Sequence, residues 1–203
     1  MTVLIGITGR AGAGKSLVAA NMARLAGYEI VSFAAPLKQM ASRFLMDAYG
    51  YDQSEVDLFL VNKTAKIPEL GVSMRRLLQT LGTDWGRNLI NPHMWVNIAA
   101  DRISDRLDVD SVVIDDVRFE GEACMIRNFG GLIIHLYRPG WDGGVGDHVS
   151  ESGIAVLPGD AVIANDGSEL DLMAAVGQAV DRFVSGSDEL LRLCLTPCRE
   201  YRL

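Results

Sequence analysis

Residues 9–16 read GRAGAGKS and directly follow the apolar run VLIGIT near the start of the chain. Their spacing fits the pattern G-x-x-x-x-G-K-[ST], in which Gly9 and Gly14 are the two fixed glycines and Lys15 and Ser16 complete the motif. Glycines allow a tight turn whose N–H groups approach phosphate oxygens, and a helix that begins at the lysine adds its positive end. The stretch therefore predicts a phosphate-binding loop between a buried strand and a helix.

This loop predicts particular contacts to ATP. Lys15 is expected to reach the β and γ phosphates, and the Ser16 hydroxyl is expected to be a ligand of Mg²⁺. A chance match in a glycine-rich turn is the alternative, because the chain has 21 glycines; the preceding strand and the helical spacing of Val18 and Met22 favour the loop. The expected ATP-binding residues are Gly9, Arg10, Ala11, Gly12, Ala13, Gly14, Lys15, Ser16 and Leu17.

Composition favours one acidic globular domain spanning residues 1–203. The chain is 49% hydrophobic, which is enough for one full core, and its net charge of −7 argues against general binding to nucleic acid or to a membrane surface. Three cysteines, Cys124, Cys194 and Cys198, are too few for a disulfide framework. The apolar start lacks the charged region of a signal peptide, and no apolar stretch approaches the roughly 20 residues that span a bilayer. A cytoplasmic location is expected.

Five short apolar segments predict the strands of a parallel sheet. Helical patterns lie between these segments, an alternation typical of a parallel sheet covered on both faces. The predicted fold class is therefore α/β: a three-layer phosphate-loop sandwich with a central five-stranded parallel sheet. The segments read VLIGIT, EIVSF, SVVIDD, GLIIHLYR and AVIAN.

Two intervals are too long for simple connections. About 75 residues separate the second and third strands, far more than one crossover helix needs, so a helical insertion is expected at about 35–110. Within it PLKQMASRFLMDAY predicts an amphipathic helix, Ser73 an N-cap, and Pro92 a position near a first helical turn. The glycine-rich stretch at about 138–160 predicts a mobile loop over a site. Residues 185–203 are interpreted as a short helix and an extension.

Polar residues at the carboxyl ends of the strands are the other candidates for chemistry, because ligands of open α/β sheets bind there. Asp115 and Asp116 end the third strand; one of them is expected to anchor Mg²⁺, since adjacent strand residues point to opposite faces. Turn or helix-capping roles are the alternative. Arg118 and Arg138 are suited to phosphate, with a solvated surface charge as the alternative. His135 is expected to be structural.

Taken together, the segments resemble the deoxynucleoside monophosphate kinases of bacteriophages, a branch of the phosphate-loop kinases. The resemblance covers about residues 1–180. It implies transfer of the ATP γ-phosphoryl group to a deoxynucleoside monophosphate, for nucleotide metabolism, by a homodimer in the host cytoplasm. It rests on GITGRAGAGKS, SFAAPLK, RRLLQTLGTDWGR with HMWV after it, VVIDDVRFEGEA, RPG followed by DHVSE, and VIANDGSELDL.

The resemblance also implies roles for individual residues. The catalytic residues would be Lys15, Asp116, Arg118 and Arg138, with Mg²⁺ held by Ser16 and Asp116. Arg138 and the loop through His148, Ser150 and Glu151 would form a lid that excludes water. Where such kinases often carry Asn-Glu after RF, this chain has Gly121 and Glu122, so only the glutamate matches. The monophosphate would contact Phe33, Lys38, Arg75, Gln79, Thr83, Asp84, Arg87 and Glu151.

Two other functions are compatible with the phosphate loop. Another small-molecule kinase, such as dephospho-coenzyme A kinase, would use the same ATP site, but the segment LGTDWGR argues against it. A non-enzymatic switch that binds ATP is the second, and the glycine-rich stretch with Arg138 favours a kinase over it. Dependence of ATP turnover on an added monophosphate separates the three. Spacing alone does not predict which bases are accepted.

Overall fold

The computed structural model describes residues 2–141 and 153–193. His148, Ser150 and Glu151, for which roles were predicted, fall outside these residues, as do Cys194 and Cys198. No helix in the described part of the chain is both long enough and apolar enough to cross a membrane.

A parallel sheet lies at the centre of the described chain. Its strands are β1 (Leu4–Thr8), β2 (Glu29–Val31), β3 (Val112–Ile114), β4 (Leu132–Tyr137) and β5 (Ala161–Ala164). Their order across the sheet is β2-β3-β1-β4-β5. Gly6 pairs with Ile114 on one side and with Ile133 on the other, so β1 is the central strand. Each strand falls inside one of the predicted apolar segments, and the five-stranded parallel sheet is confirmed.

Helices cover both faces of this sheet, as predicted. On one face, Ile7 and Ile134 pack in a core with Val18 of the first helix and Leu172 of the last. On the other face, the side chain of Ile126 lies directly against Gly6. The helices, in chain order, are α1 (Lys15–Ala26), α2 (Ala35–Tyr49), α3 (Gln53–Val61), α4 (Met74–Gln79), a π-helix (Thr80–Ile90), α5 (Met94–Leu107), α6 (Glu120–Asn128) and α7 (Glu169–Leu193).

The chain divides into two compact units. The sheet unit comprises Met1–Ser32 and Ala99–Leu203, and the helical unit comprises Phe33–Ile98. The helical unit has a hydrophobic core of its own. That core contains Ala41, Leu45, Val56, Ile67 and Met74.

Serine side chains form local hydrogen bonds at the start of one helix and inside another. Ser73 caps α4 as predicted, because its Oγ accepts a hydrogen bond from the backbone N–H of Arg76 at 3.3 Å. Near the C-terminus the structure differs from the prediction of a separate short helix: α7 continues through Ser185 to Leu193. The Ser185 hydroxyl donates to the carbonyl of Asp181 one turn earlier, a bond that lets serine occupy a helix interior.

Candidate active site

The predicted phosphate loop joins β1 to α1, and its shape depends on glycine. Gly9 and Gly14 have φ angles of 143° and 105°, which side chains disfavour. A Cβ on Gly9 would collide with the carbonyl oxygen of Leu136 on β4. Gly14 immediately precedes Lys15, the first residue of α1. The two fixed glycines of the motif are therefore explained by backbone conformation and by the close approach of β4.

Lys15 folds back over this loop. Its Nζ donates to the carbonyl oxygens of Gly9 at 2.6 Å and of Arg10 at 3.0 Å. The ammonium group therefore lies against the loop at the N-terminus of α1. A positive charge and a helix N-terminus both favour a bound anion, so this end of the sheet unit is suited to phosphate.

Ser16 and Asp115 form a pair of oxygen donors beside the loop. Ser16 Oγ donates a hydrogen bond to Asp115 Oδ2 at 2.7 Å. Asp115 is the first residue after the end of β3. Asp116, which the sequence analysis puts with Ser16 at the metal, instead accepts a hydrogen bond from Ser32 Oγ at 2.6 Å. Successive residues leaving a strand point to opposite sides, which separates the two carboxylates. Hydroxyl and carboxylate oxygens are ligands that Mg²⁺ prefers, so Ser16 and Asp115 fit a divalent cation.

Glu122 holds the segment that presents Arg118. Its carboxylate accepts the backbone N–H of Arg118 at 2.7 Å and that of Phe119 at 3.1 Å. The side chain is 2% exposed, so these charge-assisted hydrogen bonds replace the water it loses. The glutamate thereby caps the start of α6, while the Arg118 side chain is exposed.

A cavity of about 460 Å³ lies beside the phosphate loop within the sheet unit. Among the described residues, Arg10, Arg118 and Arg138 line it, together with Gly9 of the loop. The structure therefore brings both of the predicted strand-end arginines to the phosphate loop. Guanidinium groups bind phosphate with two hydrogen bonds each, so the cavity is suited to a phosphorylated ligand.

Two residues that the sequence analysis did not select also contact the loop. The indole Nε1 of Trp141 donates to the Ala11 carbonyl at 2.8 Å, and Asn165 Nδ2 donates to the Ala13 carbonyl at 2.9 Å. Asn165 directly follows β5, so its position at a strand end was a usable signal. Nothing in the local sequence marks Trp141, because its role comes from a contact with residues 130 positions away.

The predicted acceptor-binding residues lie in the helical unit, apart from Glu151, which is outside the described residues. Phe33 is buried, whereas Arg75 and Asp84 are exposed. Asp84 carries an ion pair with Arg76, with 4.0 Å between Oδ2 and Nη2. The remaining side chains are partly exposed, with Lys38 on α2, Gln79 on α4, and Thr83 and Arg87 on the π-helix.

Trp95 packs on the backbone of the segment LGTDWGR and explains its second glycine, Gly86. Its Nε1 donates to the carbonyl of Gly82 at 2.8 Å, and the side chain is 3% exposed. A Cβ on Gly86 would lie 2.6 Å from atoms of the indole ring. The ring therefore packs directly on the backbone of the π-helix. This helix type is rare and often found at functional sites, and here it carries three of the predicted acceptor residues.

Asp160 links α6, β4 and the segment that leads into β5. Its Oδ2 lies 2.9 Å from His135 Nε2 and 2.7 Å from Arg127 Nη2, and it accepts the backbone N–H of Leu157 at 2.9 Å. Burial disfavours the charged carboxylate, but the hydrogen bonds from His135, Arg127 and Leu157 outweigh it and lower the pKa of Asp160 below its ordinary value. This arrangement gives His135 a structural role.

Comparison with known proteins identifies the family. The family model described as deoxynucleotide monophosphate kinase matches residues 53–176, which is more than half of the chain. The deoxynucleotide monophosphate kinase of Escherichia phage RB69 is 37% identical over 106 residues, covering 51% of this chain and 43% of that protein. The corresponding protein of Enterobacteria phage T4 is 35% identical over 106 residues, covering 51% and 44%. The chain thus spans less than half the length of these curated relatives.

A solved structure supports the fold. An unliganded sugar kinase from Janibacter sp. HTCC2649 superposes with a TM-score of 0.50 at 17% identity, covering 89% of this chain and 95% of that one. At this identity the likeness concerns the fold alone, and it agrees with the α/β sheet unit. The family match includes the π-helix, the aspartates after β3 and the end of β5. The chain belongs to the deoxynucleotide monophosphate kinase family.

Proposed function

We propose that this protein is a deoxynucleoside monophosphate kinase, which transfers the γ-phosphoryl group of ATP to a deoxynucleoside monophosphate. The products are ADP and the deoxynucleoside diphosphate. The observation that carries the proposal is the phosphate loop with Lys15 at the head of α1 and Ser16 Oγ 2.7 Å from Asp115 Oδ2. Family membership supports a deoxynucleotide as the acceptor.

The phosphate loop binds the donor in this proposal. Its backbone N–H groups and the N-terminus of α1 bind the phosphates of ATP, and Lys15 moves from the carbonyls of Gly9 and Arg10 to the β and γ phosphate oxygens. Ser16 and Asp115 would hold Mg²⁺ through their hydroxyl and carboxylate oxygens. When bound, the ion neutralises negative charge on the phosphates.

Arginines stabilise the transferred group. Arg118 and Arg138 border the same cavity as the loop, and their guanidinium groups donate to the oxygens on which charge develops during transfer. An oxygen of the acceptor monophosphate forms the new bond to the γ-phosphorus, and the bond to the ADP oxygen breaks. Such a transfer needs positioning and charge neutralisation and no covalent protein nucleophile.

The helical unit supplies the acceptor site in this proposal. Its candidate residues on α4 and the π-helix combine two arginines, an amide, a hydroxyl and a carboxylate, which suit a phosphate and a nucleobase edge. The lid expected at about 138–160, part of which lies outside the described residues, would keep water from the γ-phosphate. The net charge of −7 supports a small ligand over a nucleic-acid partner. A homodimer in the host cytoplasm belongs to the same proposal.

The test is ADP production from ATP and Mg²⁺ with each deoxynucleoside and ribonucleoside monophosphate added singly. The expected result is turnover with at least one deoxynucleotide, weaker turnover with its ribonucleotide, and little without an acceptor. Turnover only with dephospho-coenzyme A, included as a further acceptor, would assign a different small-molecule kinase. ATP binding without any acceptor-dependent turnover would contradict a kinase and favour a nucleotide switch.

A further inference from the structure

The carbonyl groups of the phosphate loop are held by side-chain donors. Lys15, Trp141 and Asn165 supply these donors, the last two from outside the motif. A loop that binds an anion with its N–H groups must turn its carbonyls away from the anion, and each carbonyl turned away needs a donor. The acceptors are the carbonyl oxygens of Gly9, Arg10, Ala11 and Ala13.

Trp141 makes one of these two outside contacts, at a variable position of the motif. Besides its hydrogen bond to the Ala11 carbonyl at 2.8 Å, its ring atoms lie 2.9 to 3.4 Å from where a Cβ of Gly12 would stand. Gly12 occupies a variable position of the motif, and its φ is 80°. The indole therefore takes the space above the loop that a side chain at position 12 would fill.

We propose that Trp141 is a positioning residue for ATP, acting through the peptide between Ala11 and Gly12. In a trans peptide the C=O and N–H groups point in opposite directions. When the indole holds the Ala11 carbonyl, the Gly12 N–H points away from the indole and is fixed before the phosphates arrive. A loop ordered in advance loses less conformational entropy on binding, so ATP binds more tightly. The inference rests on the proposed function only in taking ATP as the ligand.

The experiment measures ATP and ADP binding by calorimetry, with Mg²⁺ and without acceptor, in the wild type and three variants. Trp141→Phe keeps a ring but loses the N–H donor, Trp141→Ala loses both, and Trp85→Phe is a matched control in the helical unit. We expect Trp141→Phe to raise the Kd for ATP about five-fold, because the loop then loses that conformational freedom only when ATP binds. Trp141→Ala should raise it at least as much, and Trp85→Phe should leave it unchanged.

Steady-state kinetics and thermal unfolding separate positioning from general structure. Trp141 is 53% exposed, so Trp141→Phe should unfold at the wild-type temperature. Its KM for ATP should rise while its KM for the monophosphate stays constant. Wild-type ATP affinity in both Trp141 variants would overturn the inference, and so would an equal rise of both KM values.

The binding measurement distinguishes this inference from the proposed function. If the wild type binds ATP but transfers nothing to any monophosphate, the proposed function fails, yet weaker ATP binding by Trp141→Phe still supports the inference. If the wild type transfers phosphate and both Trp141 variants bind ATP normally, the inference fails and the proposed function stands.

Discussion

Ser16 Oγ donates a hydrogen bond to Asp115 Oδ2 at 2.7 Å, whereas the next residue, Asp116, accepts one from Ser32 Oγ at 2.6 Å. Two adjacent carboxylates thus have different partners. Asp115 lies beside the phosphate loop, and Asp116 joins the end of β3 to the residue after β2. Their separation makes the assignment of the metal-binding carboxylate testable.

The first prediction concerns Mg²⁺. Asp115→Asn should raise the Mg²⁺ concentration for half-maximal turnover by about 10- to 100-fold, because a neutral amide replaces the anionic oxygen that faces Ser16. Asp116→Asn is the matched control: its amide oxygen still accepts a hydrogen bond from Ser32, so its Mg²⁺ requirement should stay near that of the wild type. The measurement is a Mg²⁺ titration of acceptor-dependent ADP production. A shift in Asp116→Asn alone would restore Asp116 as the metal residue.

The second prediction concerns Lys15. Lys15→Ala should lower acceptor-dependent turnover by about 100-fold or more, because the ammonium that would neutralise the β and γ phosphates is lost. The melting temperature should change little, since the hydrogen bonds from Lys15 Nζ to the carbonyls of Gly9 and Arg10 join neighbouring residues of one loop. Lys66→Ala, an exposed lysine of the helical unit, is the control. Wild-type turnover in Lys15→Ala would remove the phosphate-loop assignment.

Local signals were sufficient for the sheet and for the phosphate loop. Short apolar runs predicted all five described strands, because a strand buried on both faces needs an uninterrupted apolar stretch. The glycine spacing predicted the loop, because Gly9 and Gly14 adopt positive φ angles that favour glycine over residues with a side chain. Alternation along a strand predicted that one of Asp115 and Asp116 faces the loop, but it does not determine which one.

Contacts between residues that are far apart in the chain could not be predicted from local sequence patterns. Trp141 meets Ala11 across 130 residues, and Asp160 meets Arg127 across 33. The π-helix was also missed, because hydrophobic spacing indicates a helical face without showing that its hydrogen bonds span five residues instead of four. Trp95 is buried, and its contact with Gly82 and Gly86 appears only in three dimensions.

The third prediction tests the packing of Trp95 on the π-helix. Gly86→Ala places a Cβ 2.6 Å from the indole ring, so it should destabilise the protein by about 1–3 kcal/mol and raise the KM for the monophosphate several-fold. Alanine has the better helix propensity, so a loss of stability must come from the collision. ATP binding without acceptor should be unchanged, since the phosphate loop lies in the other unit.

Gly82→Ala is the control for that variant. Its Cβ would lie 3.1 Å from the end of the Leu37 side chain, which can rotate away, and the carbonyl that accepts from Trp95 is retained. Unfolding curves and the two KM values of both variants are compared. If both glycine variants behave alike, the contact between Trp95 and Gly86 does not order the π-helix.

The fourth prediction concerns acid stability. Asp160→Asn should lower the free energy of unfolding at pH 7 by about 2 kcal/mol, because a largely buried carboxylate loses charge-assisted hydrogen bonds from His135 and Arg127. The pKa of Asp160 in the folded chain lies below its ordinary value of 3.8, so the folded state binds its proton less readily than the unfolded state. The stabilisation is therefore complete above pH 4 to 5 and is lost as the pH falls through the folded pKa.

Urea unfolding between pH 3 and pH 7 measures this dependence. The wild type should lose stability more steeply than Asp160→Asn as the pH falls below 5, so the two curves should converge in acid. Asp110→Asn, which changes an exposed carboxylate, should follow the wild type throughout. Parallel curves for wild type and Asp160→Asn would mean that the charge of Asp160 contributes nothing to the pH dependence of stability.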